Sequence, residues 1–146
     1  MNAILDWNPP LVVATLALVS AQVFKFLLAL LVLRRVDFTR LTGMGGMPSA
    51  HAASVSALST TIGLQSGWTS PLFGAVAFFS LLILYDATGI RQAASRQARL
   101  MNQMLDDLKA HHTIGGERLI ERLGHTGLEV AAGATYGVAL AVLLGR

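Results

Sequence analysis

The sequence has no cysteine at all. Disulfide bonds, thiolate chemistry and cysteine metal ligands are therefore excluded. Charged residues are also scarce: they make up 13% of the 146 residues, whereas an ordinary soluble domain has about 25%. The N-terminus lacks the basic segment of a cleaved signal peptide, because its only early charge is Asp6. These absences favour a single integral membrane domain over residues 1–146.

Hydrophobic residues are abundant, at 53% of the chain. Four apolar stretches are long enough to cross a bilayer at a rise of about 1.5 Å per residue. They are predicted as helices over Pro10–Leu33, from Ala50 to about Gly67, from Pro71 to about Ala87, and over Leu128–Leu144. Serine and threonine interrupt the second stretch, so we place it inside the bundle, shielded from lipid by its neighbours.

Residues 91–112 form a different kind of segment, because their apolar residues recur alternately three and four positions apart. This stripe consists of Ala94, Ala98, Met101, Leu105 and Leu108, with charged residues around it. The pattern is typical of an amphipathic helix that lies on a partner helix or on the membrane surface. The predicted fold is an all-α polytopic membrane bundle of about four transmembrane helices plus one amphipathic cytoplasmic helix.

Of the connections between the apolar stretches, only two contain lysine or arginine. Arg34, Arg35 and Arg40 follow the first stretch, and six more lie between the third and the fourth. The positive-inside rule therefore predicts that both basic loops are cytoplasmic and that both termini lie outside, in a bacterial inner (plasma) membrane. The same rule accounts for the net charge of +3, so no nucleic-acid partner is expected.

This topology gathers the ionisable residues at the cytoplasmic face, where they are interpreted as one site. They come from the ends of all four predicted spans: Lys25, Arg34, His51, Asp86, Arg91, His125 and Glu129. Lys25 has two interpretations, since a lysine near a helix end can extend to the interface or point into the bundle toward an anion.

A glycine-rich loop leads into the second helix. It begins at Gly43 and ends at Pro48, and Ser49 then caps a helix that starts with Ala50 and His51. A helix start offers backbone N–H groups and the positive end of the helix dipole, which together favour an anion. The imidazole of His51 adds a group that can transfer protons. The alternative is an ordinary loop-to-helix junction with an incidental histidine.

His125 and Glu129 are four residues apart, which predicts that both lie on one helix face and that the carboxylate holds an imidazole nitrogen. A histidine oriented in this way can act as a nucleophile or a base. Two histidines, one acid and several cations, without a carboxylate cluster, suggest phosphoryl transfer that requires no metal and no cofactor.

Four motifs occur in an order that resembles a known family. They are Lys25-x8-Arg34, Gly45 to His51 (GGMPSAH), Asp86 to Arg91 (DATGIR) and Gly124 to Val130 (GHTGLEV). The chain is similar to the divergent branch of the type 2 phosphatidic acid phosphatase family, which is related to the vanadium haloperoxidases.

The resemblance implies roles for the motif residues. His125 would attack phosphorus, Glu129 would orient His125, and His51 would protonate the leaving group. Lys25 and Arg34 would bind the phosphate together with the helix start at Ser49 and Ala50, with Asp86 in support. The family's Ser-Arg pair before the second histidine is replaced here by other residues, and Arg91 is a hypothesis for the missing cation.

The function expected from this resemblance is hydrolysis of a lipid phosphate or diphosphate monoester. Two alternatives remain open from the residues: a non-catalytic protein that binds phosphorylated lipid, and a purely structural bundle. Two GxxxG spacings, Gly63/Gly67 and Gly133/Gly137, together with the amphipathic stripe, also predict a homo-oligomer, most simply a dimer.

Overall fold

The computed structural model describes residues 8–33, 46–88, 90–111 and 125–145. These residues form five helices and no strand, so the predicted all-α bundle is confirmed. The helices are α1 (Pro9–Leu33), α2 (Ala50–Ser66), α3 (Pro71–Thr88), α4 (Ile90–His111) and α5 (Gly127–Leu144). Their ends agree closely with the sequence-based boundaries, because caps and composition mark them clearly. The predicted extent of the domain, 1–146, stays a prediction.

The turn between α2 and α3 shows how local sequence sets these boundaries. Gly67 ends α2 at a φ of +89°, a left-handed value that favours glycine. The Ser70 hydroxyl then accepts a hydrogen bond of 3.2 Å from the Phe73 backbone N–H, and Pro71 takes the first helical position. The connection is therefore short, and α3 returns alongside α2.

Helix α2 is the centre of the bundle, in contact with α1, α3 and α5. The side chains at its interfaces are small, which lets the helix backbones approach closely. The main buried cluster consists of Val13, Ala17, Ala21, Ala50, Ala53, Ala57 and Ala141. The prediction that the Ser/Thr-rich second helix lies inside the bundle is therefore confirmed.

Three of the described helices are long and apolar enough to cross a membrane: α1 over Pro9–Leu31, α3 and α5. Helix α2 is more polar and has 17 residues, and its neighbours cover much of its surface. Large apolar side chains project outward from the other three, as expected for a surface that faces lipid; examples are Leu31, Phe79 and Leu143.

The second glycine pair brings α5 directly onto α2. A Cβ atom at Gly133 would overlap the carbonyl oxygen of Ser49, and one at Gly137 would overlap that of Ala53. The contact of Gly133 with Ser49 is followed, four residues later in both helices, by the contact of Gly137 with Ala53. Helices α2 and α5 are therefore parallel. They begin at the same end of the bundle, as the predicted topology requires.

The first glycine spacing has a different role from the predicted one. Gly67 is the C-cap of α2, and Gly63 lies beneath the ring of Trp68 from the following turn. Since Gly133 and Gly137 already serve the contact between α5 and α2, neither glycine pair is a free surface for a second copy. The dimer predicted from these glycines stays a prediction that no longer has this support.

Helix α3 runs in the opposite direction to α2. The Ser80 hydroxyl donates to the Val55 carbonyl at 3.3 Å, and Ala87 packs with Ala52 and Val130 in a second buried cluster. The last turn of α3 therefore lies beside the first turns of α2 and α5. One end of the bundle thus holds the start of two helices and the end of a third.

Helix α4 lies outside the packed core of α1, α2, α3 and α5, since α3 is the only described helix that it contacts. Among its described side chains, Ser95, Ala98 and Asn102 are buried, rather than the whole predicted stripe. Two members of that stripe, Met101 and Leu108, are instead exposed.

Candidate functional site

Two backbone hydrogen bonds join the three elements that meet at this end of the bundle. The Ser49 N–H donates to the Glu129 carbonyl at 3.1 Å, and the His125 N–H donates to the Ala87 carbonyl at 3.4 Å. The first bond connects the start of α2 to the start of α5. The second connects the segment before α5 to the last turn of α3. Segments that carry three of the four sequence motifs are therefore joined directly through their main chains.

Ser49 is the structural link at the start of α2. Its side chain is fully buried, and its hydroxyl accepts a hydrogen bond of 3.4 Å from the Ala52 N–H, as an N-cap does. Gly46, with a φ of +87°, shapes the turn that precedes it. The predicted cap is confirmed. The Ser49 N–H, one of the donors expected for a phosphate, instead donates to the Glu129 carbonyl.

His51 occupies the first turn of α2, as predicted. It is exposed, whereas Ala50, Ala52 and Ala53 around it are buried against neighbouring helices. The imidazole therefore lies on the open side of the helix start, where a ligand can reach it.

His125 is buried, with 3% of its surface exposed. It precedes the N-cap Thr126, and α5 begins at Gly127. The expectation that His125 and Glu129 share a helix face is therefore wrong, because the helix starts after the histidine. The position of His125 depends instead on its backbone bond to Ala87 and on burial at the junction of α3 and α5.

The Glu129 carboxylate caps its own helix. The Thr126 hydroxyl accepts from the Glu129 N–H at 3.3 Å, and Oε2 of Glu129 accepts from the Thr126 N–H at 2.9 Å. This reciprocal pair is a capping box, and its sequence signature, a threonine followed three residues later by a glutamate, was present in the motif. The catalytic role of Glu129 stays a prediction, and one of its two carboxylate oxygens is engaged in this cap.

Lys25 points into the protein, with 4% of its surface exposed. It continues the buried face of α1 four residues beyond Ala21, or about 6 Å along the axis. A hydrogen bond of 2.8 Å from the Tyr136 hydroxyl to the Ser20 hydroxyl joins α1, five residues before Lys25, to the middle of α5. Of the two interpretations, the structure favours the one in which Lys25 faces the bundle interior.

The remaining predicted site residues are less fully placed. Asp86 is half-buried in the last turn of α3, next to Ala87. Arg34 lies outside the described residues. Arg91 lies in the first turn of α4, and its side chain is not among those described.

Among the described residues, no group of three histidine, aspartate or glutamate side chains lies close enough to hold a metal ion together. The chemical groups that the bundle end does assemble are an exposed imidazole, a buried imidazole and a half-buried carboxylate. A buried lysine lies on the adjacent face of α1. Such a set can bind an anion and move protons.

Comparison with known proteins gives two matches. A family model described as the divergent PAP2 family matches residues 7–140, a range that includes every candidate residue from Lys25 to Glu129. The uncharacterized membrane protein YuiD of Bacillus subtilis (strain 168) is 36% identical over an alignment of 148 residues, and the match covers 94% of this chain and 94% of the relative. No solved structure matches the chain.

Proposed function

Because the chain belongs to the divergent PAP2 family, we propose that it is a membrane lipid phosphatase. The substrate is a lipid phosphate or diphosphate monoester, of the phosphatidylglycerophosphate, phosphatidate or polyprenyl diphosphate type. The observation that carries this proposal is the pair of backbone bonds that brings the segments of His51 and His125 to one end of the bundle. A lipid with its headgroup at this end of the bundle and its tail along the helices in the bilayer would fit such a site.

The two histidines divide the chemistry between them. A nitrogen of His125 forms a bond to phosphorus while the bond from phosphorus to the lipid oxygen breaks, and His51 gives its proton to that departing oxygen. Water then attacks phosphorus, His51 takes a proton from that water, and the phosphorus–nitrogen bond breaks. The products are inorganic phosphate and the lipid with one phosphoryl group fewer, and both imidazoles return to their starting states.

Cations offset the charge that develops on the phosphoryl group. Lys25 is the cation whose position supports the role most strongly, because its side chain is buried on the inward face of α1. Arg34 and Arg91 are proposed as the others, with the first turn of α2 at Ala50 supplying the helix dipole.

A second candidate function is a protein that binds phosphorylated lipid without hydrolysing it. The capping role of Glu129 favours this candidate, because an oxygen engaged by Thr126 leaves only the other one to orient a histidine. Under this alternative, Lys25 and the helix start bind the phosphate, and no phosphohistidine forms.

We place the site at the cytoplasmic face of a bacterial inner membrane. This proposal rests on the positions of lysine and arginine in the sequence, which concentrate beside the ends of α1 and α3. The substrate would then be presented by the inner leaflet.

Phosphate release from defined lipids tests the proposal. Purified protein in mild detergent, treated with a chelator, should release inorganic phosphate from at least one of the three lipid types. Vanadate should inhibit the reaction, because it adopts the five-coordinate geometry of the transition state. His125→Ala should abolish release while lipid binding persists.

The same assay distinguishes a phosphatase from a protein that only binds phosphorylated lipid. Binding of the lipid phosphates without release, in chelated and in metal-supplemented samples alike, would support the non-catalytic alternative. Activity that is lost on chelation and restored by a divalent ion would contradict the metal-independent mechanism.

A further inference from the structure

Helix α4 has an exposed apolar face that the proposed phosphatase site does not use. Its members are Leu100, Met101, Met104 and Leu108, which are 57%, 55%, 64% and 49% exposed. They lie one, three and four residues apart, so they form a continuous strip along one side of the helix. None of the described helices covers this strip, since α4 contacts α3 alone among them.

The other two sides of α4 have different characters. Ser95, Ala98 and Asn102 form a buried side. Arg96, Arg99, Gln103 and Asp106 form an exposed, polar side, and Arg96 lies one turn before Leu100 at its border with the apolar strip. A helix with one buried, one apolar and one charged side suits a boundary between protein, lipid and water.

The position of α4 in the chain places it at the edge of the membrane. It begins at Ile90, shortly after α3 ends at Thr88. The last turns of α3 carry Leu81 and Tyr85, which are 65% and 73% exposed, and a tyrosine at the end of a membrane span is typical of the headgroup level. Helix α4 therefore begins close to the headgroup level at which α3 ends.

We propose that α4 lies in the headgroup region of the same bilayer, in the leaflet at the end of the bundle that holds the candidate site. Leu100, Met101, Met104 and Leu108 enter the upper part of the acyl chains, and Arg96 contacts lipid phosphates. The helix thereby fixes the depth of the last turn of α3, whose Ala87 carbonyl binds the His125 N–H.

The occupant is lipid rather than a second copy of the chain for two reasons. A stable protein interface buries about 800 Å² per partner, and four side chains that are each about half exposed present less than that. Arg96 at the border of the strip also matches phospholipid headgroups, which are anionic at their phosphates.

Spin labels on single cysteines test the proposal, since the native chain has no cysteine. Met104→Cys and Leu108→Cys report on the apolar strip, and Gln103→Cys and Arg99→Cys are matched controls on the exposed polar side. All four proteins are reconstituted in phospholipid vesicles, and relaxation by oxygen is compared with relaxation by a water-soluble nickel chelate.

The labels at 104 and 108 should be reached preferentially by oxygen, at a depth of about 5–10 Å below the phosphates. The two controls should be reached preferentially by the nickel chelate. Equal access of nickel to all four labels would overturn the proposal. So would broadening of the label at 104 that disappears on dilution with unlabelled protein, because that result means a second copy covers the strip.

A charge on the strip provides a second, independent test. Met104→Glu should move a label at 108 toward nickel access, because a carboxylate disfavours the acyl region, whereas Gln103→Glu should leave that label unchanged. These results do not depend on catalysis, so they test the position of α4 even if the phosphatase proposal fails. An unchanged label in the Met104→Glu protein would contradict the membrane position.

Discussion

Gly133 is the position where a single added methyl group should disturb the junction of α2 and α5 most directly. A Cβ at this residue would overlap the carbonyl oxygen of Ser49 and lie 3.0 Å from the Cβ of Ala52. The oxygen is main chain, so it cannot rotate away as a side chain would. In Gly133→Ala the two helices must therefore move apart, and the bond from the Ser49 N–H to the Glu129 carbonyl must lengthen.

The expected cost follows from these contacts. Overpacking at a close helix contact costs about 1–3 kcal/mol, and the loss of one hydrogen bond costs about 1 kcal/mol. Alanine is favoured over glycine in a helix by about 0.5–1 kcal/mol, which offsets part of this. The net reduction in the free energy of unfolding should be about 2 kcal/mol.

The assay is reversible unfolding in mixed detergent micelles, followed by intrinsic fluorescence and by phosphate release. Gly74→Ala is the matched control, because Gly74 also lies in a membrane helix and its added Cβ would meet nothing within 4 Å. That control should be as stable as the native protein or slightly more stable. Equal stability of the Gly133→Ala and Gly74→Ala proteins would refute the close packing of α5 on Ser49.

Three further predictions concern single side chains and the topology. Glu129→Gln can keep the capping box but loses the charge, so phosphate release should fall in this variant with little loss of stability, whereas Glu129→Ala should lose both. Lys25→Met should weaken vanadate inhibition at least tenfold, and Lys25→Arg should retain most of it. Cysteines placed at Thr42 and His112 should react with an impermeant label only after the membrane is opened, whereas one at Ser66 should react from outside. Retained activity in Glu129→Gln, unchanged vanadate inhibition in Lys25→Met, or the reversed labelling pattern would each contradict the corresponding assignment.

The helices were predictable because each boundary has a local chemical cause. Ser49 can cap a helix, and Pro71 favours a first turn. The central position of α2 followed from its small and hydroxylated residues, which suit contact with other helices better than contact with lipid. The Gly133/Gly137 spacing correctly indicated close packing, although the partner is α2 of the same chain.

The details of the site were less predictable, because they depend on contacts between distant segments. No local pattern indicates that the His125 N–H donates to the Ala87 carbonyl. Nor does one indicate that the Ser49 N–H donates to the Glu129 carbonyl. The four-residue spacing of His125 and Glu129 suggested a shared helix face, but it has that meaning only if the helix includes both residues. The capping signature at Thr126 was the signal that the helix starts later.

The most direct test of the proposed mechanism is to trap the covalent intermediate on His125. Purified protein is mixed with a lipid monoester carrying radioactive phosphate, quenched within the first turnover, and divided between acid and alkali. Label that survives alkali, is lost in acid, maps to His125 and is absent from His125→Ala is the predicted result. Turnover of the lipid without labelled protein, or label that persists in His125→Ala, would contradict the assignment of His125 as the nucleophile.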